Sequence, residues 1–357
     1  MKRSSSHQQF RNQGFTLVEM LIVIAIIGIL AGILIPTIGV VRKSASNSGM
    51  AMEVNSLSAA IETYKQKYGD YPPDGSNIVV FLRHIQVAFP RIHPKEFSDL
   101  QLMIGVDNMG KTRLDPSEAL VFFLGGFSDD PRFPFTGEGG PFSRVRRNAL
   151  FDFAAGRLTQ STEMTNIGPL LVNTNPNGVP VLVPMSTDEQ ALFGNDADIF
   201  PAYLPSSSDI PFVYFDHRTY IQRPLYKFNG NPVPPAQYPP IGVRFLQKGT
   251  HDGWVRAYRS DQARQPTAED PFPFKWLGDG TFQIICAGVD NNLGEDPTTF
   301  GPTRVNNPNQ RPLPLFDNSG NLLLPPKYKQ FPSQKLFSEG DRSNITNFSE
   351  GVLEGGQ

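Results

Sequence analysis

The stretch Gly14-Phe-Thr-Leu-Val-Glu-Met-Leu-Ile-Val-Ile-Ala-Ile-Ile-Gly-Ile-Leu30 decides how the rest of the chain is read. It is almost wholly apolar, yet it carries one carboxylate, Glu19, five residues after a glycine. No charged residue occurs between Met20 and Val41, and at about 1.5 Å per helical residue that run reaches about 33 Å, enough to cross a hydrocarbon core of about 30 Å. A membrane-spanning helix is therefore predicted. Lys2, Arg3 and Arg11 precede it and favour a cytoplasmic amino terminus, although Arg42 and Lys43 beyond it make the asymmetry modest. A secretory signal peptide has a shorter apolar core, about 7–15 residues, ending at a small-x-small cleavage site. A plain anchor leaves Glu19 unexplained, because a carboxylate in a spanning segment is costly unless it finds a partner or stays at the interface.

These residues resemble a known signal. A basic leader ending in Gly14, then Phe15-Thr-Leu-Val-Glu19, then an apolar helix containing Pro36, is similar to the class III signal of type IV pilins and type II secretion pseudopilins. The resemblance implies that a prepilin peptidase cleaves after Gly14 on the cytoplasmic side and methylates the new amino terminus, Phe15. Cleavage would remove the three leader cations and leave the Phe15 α-amine as the nearest positive charge. The family then implies that Glu19 meets the amine of a neighbouring subunit as helices bundle into a filament, an attraction that strengthens in low dielectric. An intramolecular contact between Phe15 and Glu19, one helical turn apart, is the alternative.

Pro36 should kink the helix, since proline lacks an amide donor and crowds the preceding turn. Gly28, Gly32 and Gly39 offer small surfaces for close helix packing. Beyond Lys43, the residues Met50, Val54, Leu57, Ile61, Tyr64 and Tyr68 recur at steps of three and four, marking an amphipathic face that should dock on a globular domain. Gly69 ends the helix, with Lys65 and Lys67 in its last turn. The string Ala60-Ile-Glu-Thr-Tyr-Lys-Gln-Lys-Tyr-Gly-Asp-Tyr-Pro72 is similar to the end of the long helix of the major, G-type pseudopilin. The expected organisation is a leader (1–14), a transmembrane and assembly helix (15–41), its amphipathic continuation (42–68) and a periplasmic head with insertions (69–357). The fold class is α+β, a lollipop whose head holds an antiparallel sheet.

Composition is compatible with this. The chain is 39% hydrophobic with net charge −2, which suits a globular core and argues against a dedicated nucleic-acid binder. Gly 32 and Pro 33 imply many turns. In the head, Leu114–Gly126 reads as a short helix with Asp115 as N-cap, Pro116 at its first position, Glu118 three residues on and Gly125 as its stop. Strands are expected at 211–215, 253–258 and 281–287, and at 179–183 as an edge strand because of Pro180. Cys286, in the apolar run 281–287, is expected to be a buried thiol.

One segment carries possible chemistry. Gly288-Val-Asp-Asn-Asn-Leu-Gly-Glu-Asp296 is dense in hard oxygen donors of the kind Ca²⁺ takes six to eight of. Its glycine is misplaced for an EF-hand. Major pseudopilins carry a calcium loop after a comparable strand, and Glu339–Phe348 looks like the segment that closes it. That resemblance implies Asp290, Asn292, Asp296 and Asp341 as ligands; an Asp/Asn/Gly-rich turn with solvated carboxylates is the alternative. Arg144, Arg146 and Arg147 could contact DNA or lipid head groups, or form a solvated helix face. Asn344-Ile-Thr and Asn347-Phe-Ser match the glycosylation pattern.

No nucleophile elbow, phosphate-cradling loop or HExxH is present, and no catalytic residue is expected. Two classes of function follow. One is a structural subunit at the bacterial inner membrane, partnered by the peptidase, by other pilin or pseudopilin subunits, by an assembly platform and by lipid, in a secretion pseudopilus or a surface fibre. The other is a binding or enzymatic domain on a borrowed anchor, suggested by the large head.

Overall fold

The computed structural model describes residues 16–104, 114–143, 145–159, 163–167, 171–174, 180–183, 200–220, 227–228, 231–232, 242–246, 252–265, 274–294, 330–334, 337 and 339–353. The chain divides into two compact units, one ending at Ala45 and the other beginning at Ser46. Helix α1 (Leu17–Tyr68) starts in the first and finishes in the second. Its backbone is helical through Pro36, and the Thr37 hydroxyl donates to the Leu34 carbonyl at 2.8 Å. The helix stops where expected. Gly69, at φ +86°, adopts the left-handed conformation that suits glycine, and its N–H closes the last turn on the Lys65 carbonyl.

In the second unit the amphipathic stripe of α1 is the spine of the core. Met50, Val54, Leu57, Ile61 and Tyr64 are fully buried. Around them pack α2 (Ile78–Ala88), α3 (Pro94–Ile104) and α4 (Ala119–Leu124). The first two are helices that no feature of the sequence reading anticipated. The signals were present: Asn77 caps α2 by accepting the Val79 and Val80 N–H groups, Ile78, Phe81, His84 and Ile85 fall on one buried face, and Pro94 opens α3. Before α4 the expected capping box forms. The Asp115 carboxylate accepts the Ser117 and Glu118 N–H groups, and Glu118 accepts the Asp115 N–H at 3.0 Å. Residues 116–118 are a turn, so the helix proper begins at Ala119.

The central sheet is antiparallel, in the order Ile345–Thr346, Phe282–Cys286, Val213–Asp216. Its middle strand is buried along its whole length because a core lies on each face. Phe282, Ile284 and Cys286 point to the core built on α1, together with Phe212 and Tyr214. Ile285, with Val213 and Phe215, faces a second core containing Tyr258, Trp276 and Leu293. Gln283 is the one polar residue in the strand, and it is fully used: its oxygen accepts the Tyr258 N–H, and its amide donates to the Tyr258 and Leu277 carbonyls. Cys286 is buried with its sulfur 3.7 Å from that of Met50, and burial pushes its thiol up to about 12.

Among the described residues there are two further three-stranded sheets. Glu163–Ile167, Gly242–Leu246 and Asp252–Arg256 pair antiparallel, while Arg259–Ala263 pairs antiparallel with Phe274–Trp276 and parallel with Gln330–Phe331. Pro180–Val183 forms a two-stranded hairpin with Leu171–Thr174, with Pro180 at the strand's first residue. The fold is thus α+β, a long helix followed by antiparallel sheets.

The basic cluster is not a solvated helix face. Arg146 donates to the Val121 and Phe122 carbonyls at 2.9 and 3.1 Å, where burial pulls its guanidinium down to about 10, and Arg147 pairs with Glu138. Arg144 lies outside the described residues. Asn344 is buried, and the Asn347 amide oxygen accepts the Ile284 N–H, so neither side chain is presented for glycosylation.

Candidate assembly site

Residues 1–15 lie outside the described residues, so Gly14 and Phe15 have no structural account. The site begins at Thr16. Its backbone N–H and its hydroxyl both donate to Glu19 Oε2 at 2.8 Å, and the Glu19 N–H returns a bond to the Thr16 hydroxyl at 3.2 Å. This is a reciprocal capping box of the Thr-x-x-Glu type, with the first helical N–H groups answered by side chains. It also sets a negative charge at the positive end of the helix dipole. The sequence analysis anticipates none of these three contacts, although Thr16-Leu-Val-Glu19 is the signature of such a box.

The helix that follows presents its apolar side chains outward. Leu17 is 80% exposed, Ile35 70% and Val40 71%. A Cβ placed on Gly28, Gly32 or Gly39 would meet nothing within 4 Å. This is the one helix among the described residues long and apolar enough to cross a membrane. In water such a surface would be strongly unfavourable, because apolar area is stabilised by removal from water at about 25 cal/mol per Å². Such a surface is what a membrane-anchoring helix presents.

The expected calcium residues lie in the second unit, where three of the four are brought together. After the strand Phe282–Cys286, a 3-10 turn (Gly288–Asp290) leads into a loop that meets the short helix Glu339–Ser343. Asp290 accepts the Ser343 hydroxyl at 2.5 Å and the Asn292 N–H at 3.2 Å. Asn292 accepts the Gly294 N–H at 2.8 Å. Asp341 is buried and accepts the Tyr258 hydroxyl at 2.8 Å. A Cβ on Gly294, at φ +97°, would lie 2.5 Å from Asp341 Oδ2, and one on Gly340 would lie 2.5 Å from the Asn292 amide oxygen. Only glycines allow this approach.

Asp296 lies outside the described residues. Among the described residues no three His, Cys, Asp or Glu side chains are grouped as a metal site would need. Tyr258 and Asn344, which the sequence did not single out as part of this site, complete the network. Asn344 donates to the Tyr258 hydroxyl oxygen and the Leu293 carbonyl, while its own amide oxygen is buried with no hydrogen-bond partner among the described residues.

Comparison with known proteins bears on the amino-terminal element. Residues 9–35 match the family described as the prokaryotic N-terminal methylation motif. Over 71 residues, a fifth of this chain, the sequence is 31% identical to the type II secretion system core protein G of Pectobacterium carotovorum subsp. carotovorum, and the match spans 46% of that protein's length. No solved structure matches the chain. The methylation motif thus leads into a capped, outward-facing apolar helix, and the chain is similar here to type IV pilins and type II secretion pseudopilins.

Proposed function

We propose that this chain is a pseudopilin of a type II secretion system, a structural subunit polymerised from the inner membrane into a periplasmic filament. The observation that carries the reading is the position of Glu19: a carboxylate held in the first turn of an exposed apolar helix by Thr16, the residue that follows Phe15 in sequence. In this reading prepilin peptidase cleaves after Gly14 and methylates Phe15. The head lies in the periplasm, and Glu19 answers the α-amine of a neighbouring subunit as the apolar helices leave lipid for the filament core. The similarity to a core protein G supports secretion over a surface fibre, which remains the second reading. The pilin and pseudopilin family is structural rather than enzymatic, and the second unit holds a buried aromatic core.

Mass spectrometry of the mature chain tests processing, with N-methyl-Phe15 expected at its amino terminus; a chain retaining residues 1–14 would overturn the proposal. Glu19→Ala should be processed normally and fail to co-assemble. Unchanged assembly and secretion would sink the filament mechanism.

We also propose calcium at the junction of the 288–294 loop and the Glu339–Ser343 helix, held by Asp290, Asn292, Asp296 and Asp341. The donor set fits: every side chain offers oxygen, and the Asn344 amide oxygen, which has no hydrogen-bond partner among the described residues, sits in the same network. Calcium there would neutralise the gathered carboxylates and pin the loop to the helix.

A further inference from the structure

The exit of α1 carries two buried carboxylates that are not equivalent. Asp216, at the end of the strand Val213–Asp216, has a cation: its Oδ2 accepts Arg218 Nε at 2.7 Å, and His217 Nδ1 lies 3.2 Å from its Oδ1. Arg218 also reaches Asp70 at 2.8 Å and the Tyr71 carbonyl at 2.6 Å. Asp74 is just as deeply buried, and among the described residues no cation lies within ion-pair distance of it. Its Oδ1 accepts the Ser76 N–H at 3.0 Å and the Ser76 hydroxyl at 2.5 Å. Its Oδ2 accepts the Asp216 N–H at 3.2 Å and meets the Thr219 hydroxyl.

That last contact is informative, because the Thr219 hydroxyl has one hydrogen and two acceptors in reach. The other is the Asp216 carbonyl, at 2.9 Å. If Thr219 donates there, its contact with Asp74 needs a hydrogen from the carboxyl itself. A neutral Asp74 beside the Arg218-paired Asp216 supplies that hydrogen, whereas an ionised Asp74 places an uncompensated negative charge in the interior.

We propose that Asp74 is a buried proton-binding site that locks the exit of α1 onto the Val213–Asp216 strand, and that the lock tightens as the surrounding solution becomes mildly acidic. Burial first, and then the Asp216 charge, raise the Asp74 carboxyl to about 6, against the pull of the Ser76 and Thr219 hydrogen bonds. This is about a hundredfold tighter proton binding than an ordinary aspartate. Facing the group are Asp216, His217 and Arg218 from the strand end and its turn, Asp70 from its own loop, and the phenols Tyr214 and Tyr220, both held neutral by burial. Because the folded value lies above the unfolded one, the stabilisation is present in acid and is lost as pH rises through about 6.

The test uses the full chain in detergent, with aspartate carboxyl carbons isotopically labelled. The resonance absent from Asp74→Asn should titrate with a midpoint near 6 in the wild type and in His217→Gln. A midpoint in the ordinary carboxylate range overturns the proposal, and so does one that disappears with His217. If Asp74→Asn does not fold, assignment from paired residue labelling in the wild type gives the same reading. Where it folds, the wild type should gain melting temperature relative to the variant from about pH 7.5 to about pH 5; a difference independent of pH would refute the lock.

Discussion

Replacing Arg218 by methionine isolates what holds the α1 exit to the sheet. The guanidinium is 21% exposed, and it answers Asp216, which is completely buried, through Nε and Nη2 at 2.7 Å. It also bonds Asp70, itself 42% exposed, and the Tyr71 carbonyl. The Asp70 pair is partly solvated and is discounted to about 0–1 kcal/mol. Stranding Asp216 dominates, because breaking a buried ion pair by removing one partner costs about 3–5 kcal/mol. For a body of this size that corresponds to a fall in Tm of roughly 6–20 °C, taking about 2–4 °C per kcal/mol. Combining Arg218→Met with Asp216→Asn removes the stranded charge and should return a large part of the loss. Thermal and urea unfolding of the full chain in detergent read both variants. A single-variant loss below about 1 kcal/mol, or a double variant no better than the single, would refute the reasoning that a buried unpaired carboxylate is the source.

Four other outcomes are expected. Glu19→Gln keeps the Thr16 capping box, which glutamine can also form, but removes the charge that would meet an amine, so it should fail in subunit cross-linking as Glu19→Ala does, while Thr16→Ala should retain most assembly; a fully competent Glu19→Gln would reduce Glu19 to a helix cap. Leu57→Ala, at a position with no exposure, should cost about 2–5 kcal/mol in denaturant unfolding, and a loss under about 1 kcal/mol would mean the α1 stripe is not the spine of the core. His84 is buried against the Tyr64 hydroxyl at 2.8 Å and held down to about 3 by burial, so it contributes stability above about pH 6.5 that is lost on acidification; His84→Phe should flatten that acid-side slope, and an unchanged slope would assign it elsewhere. Adding calcium to the chelated chain should raise its melting temperature, and Asp341→Asn should abolish the rise; no rise in the wild type would remove calcium from the 288–294 junction.

The parts that were legible in the sequence are those governed by local rules. A charge-free run needs only its length to be read as a spanning segment, the α1 stripe is a 3.6-residue period, and Gly69 and the Asp115/Glu118 box are end signals acting over a few residues. The strand Phe282–Cys286 was visible as an apolar run, but not why it is apolar throughout: it separates two cores, and only the fold assembles both. Helices α2 and α3 were missed because short amphipathic segments amid prolines give weak periodicity, and tertiary packing decides them.

By itself the sequence determined the amino-terminal element: a glycine, a carboxylate five residues after it, and a charge-free run long enough to span a membrane, all within one helix and its approach. Tertiary structure decided everything that depends on residues distant in the chain. It placed Asp341 against Gly294, set Arg146 on the last carbonyls of α4 rather than in solvent, and put Arg218 on Asp70. The physical reason is that the worth of a charge is set by burial and by its partners, and for these residues both come from parts of the chain that only folding brings near.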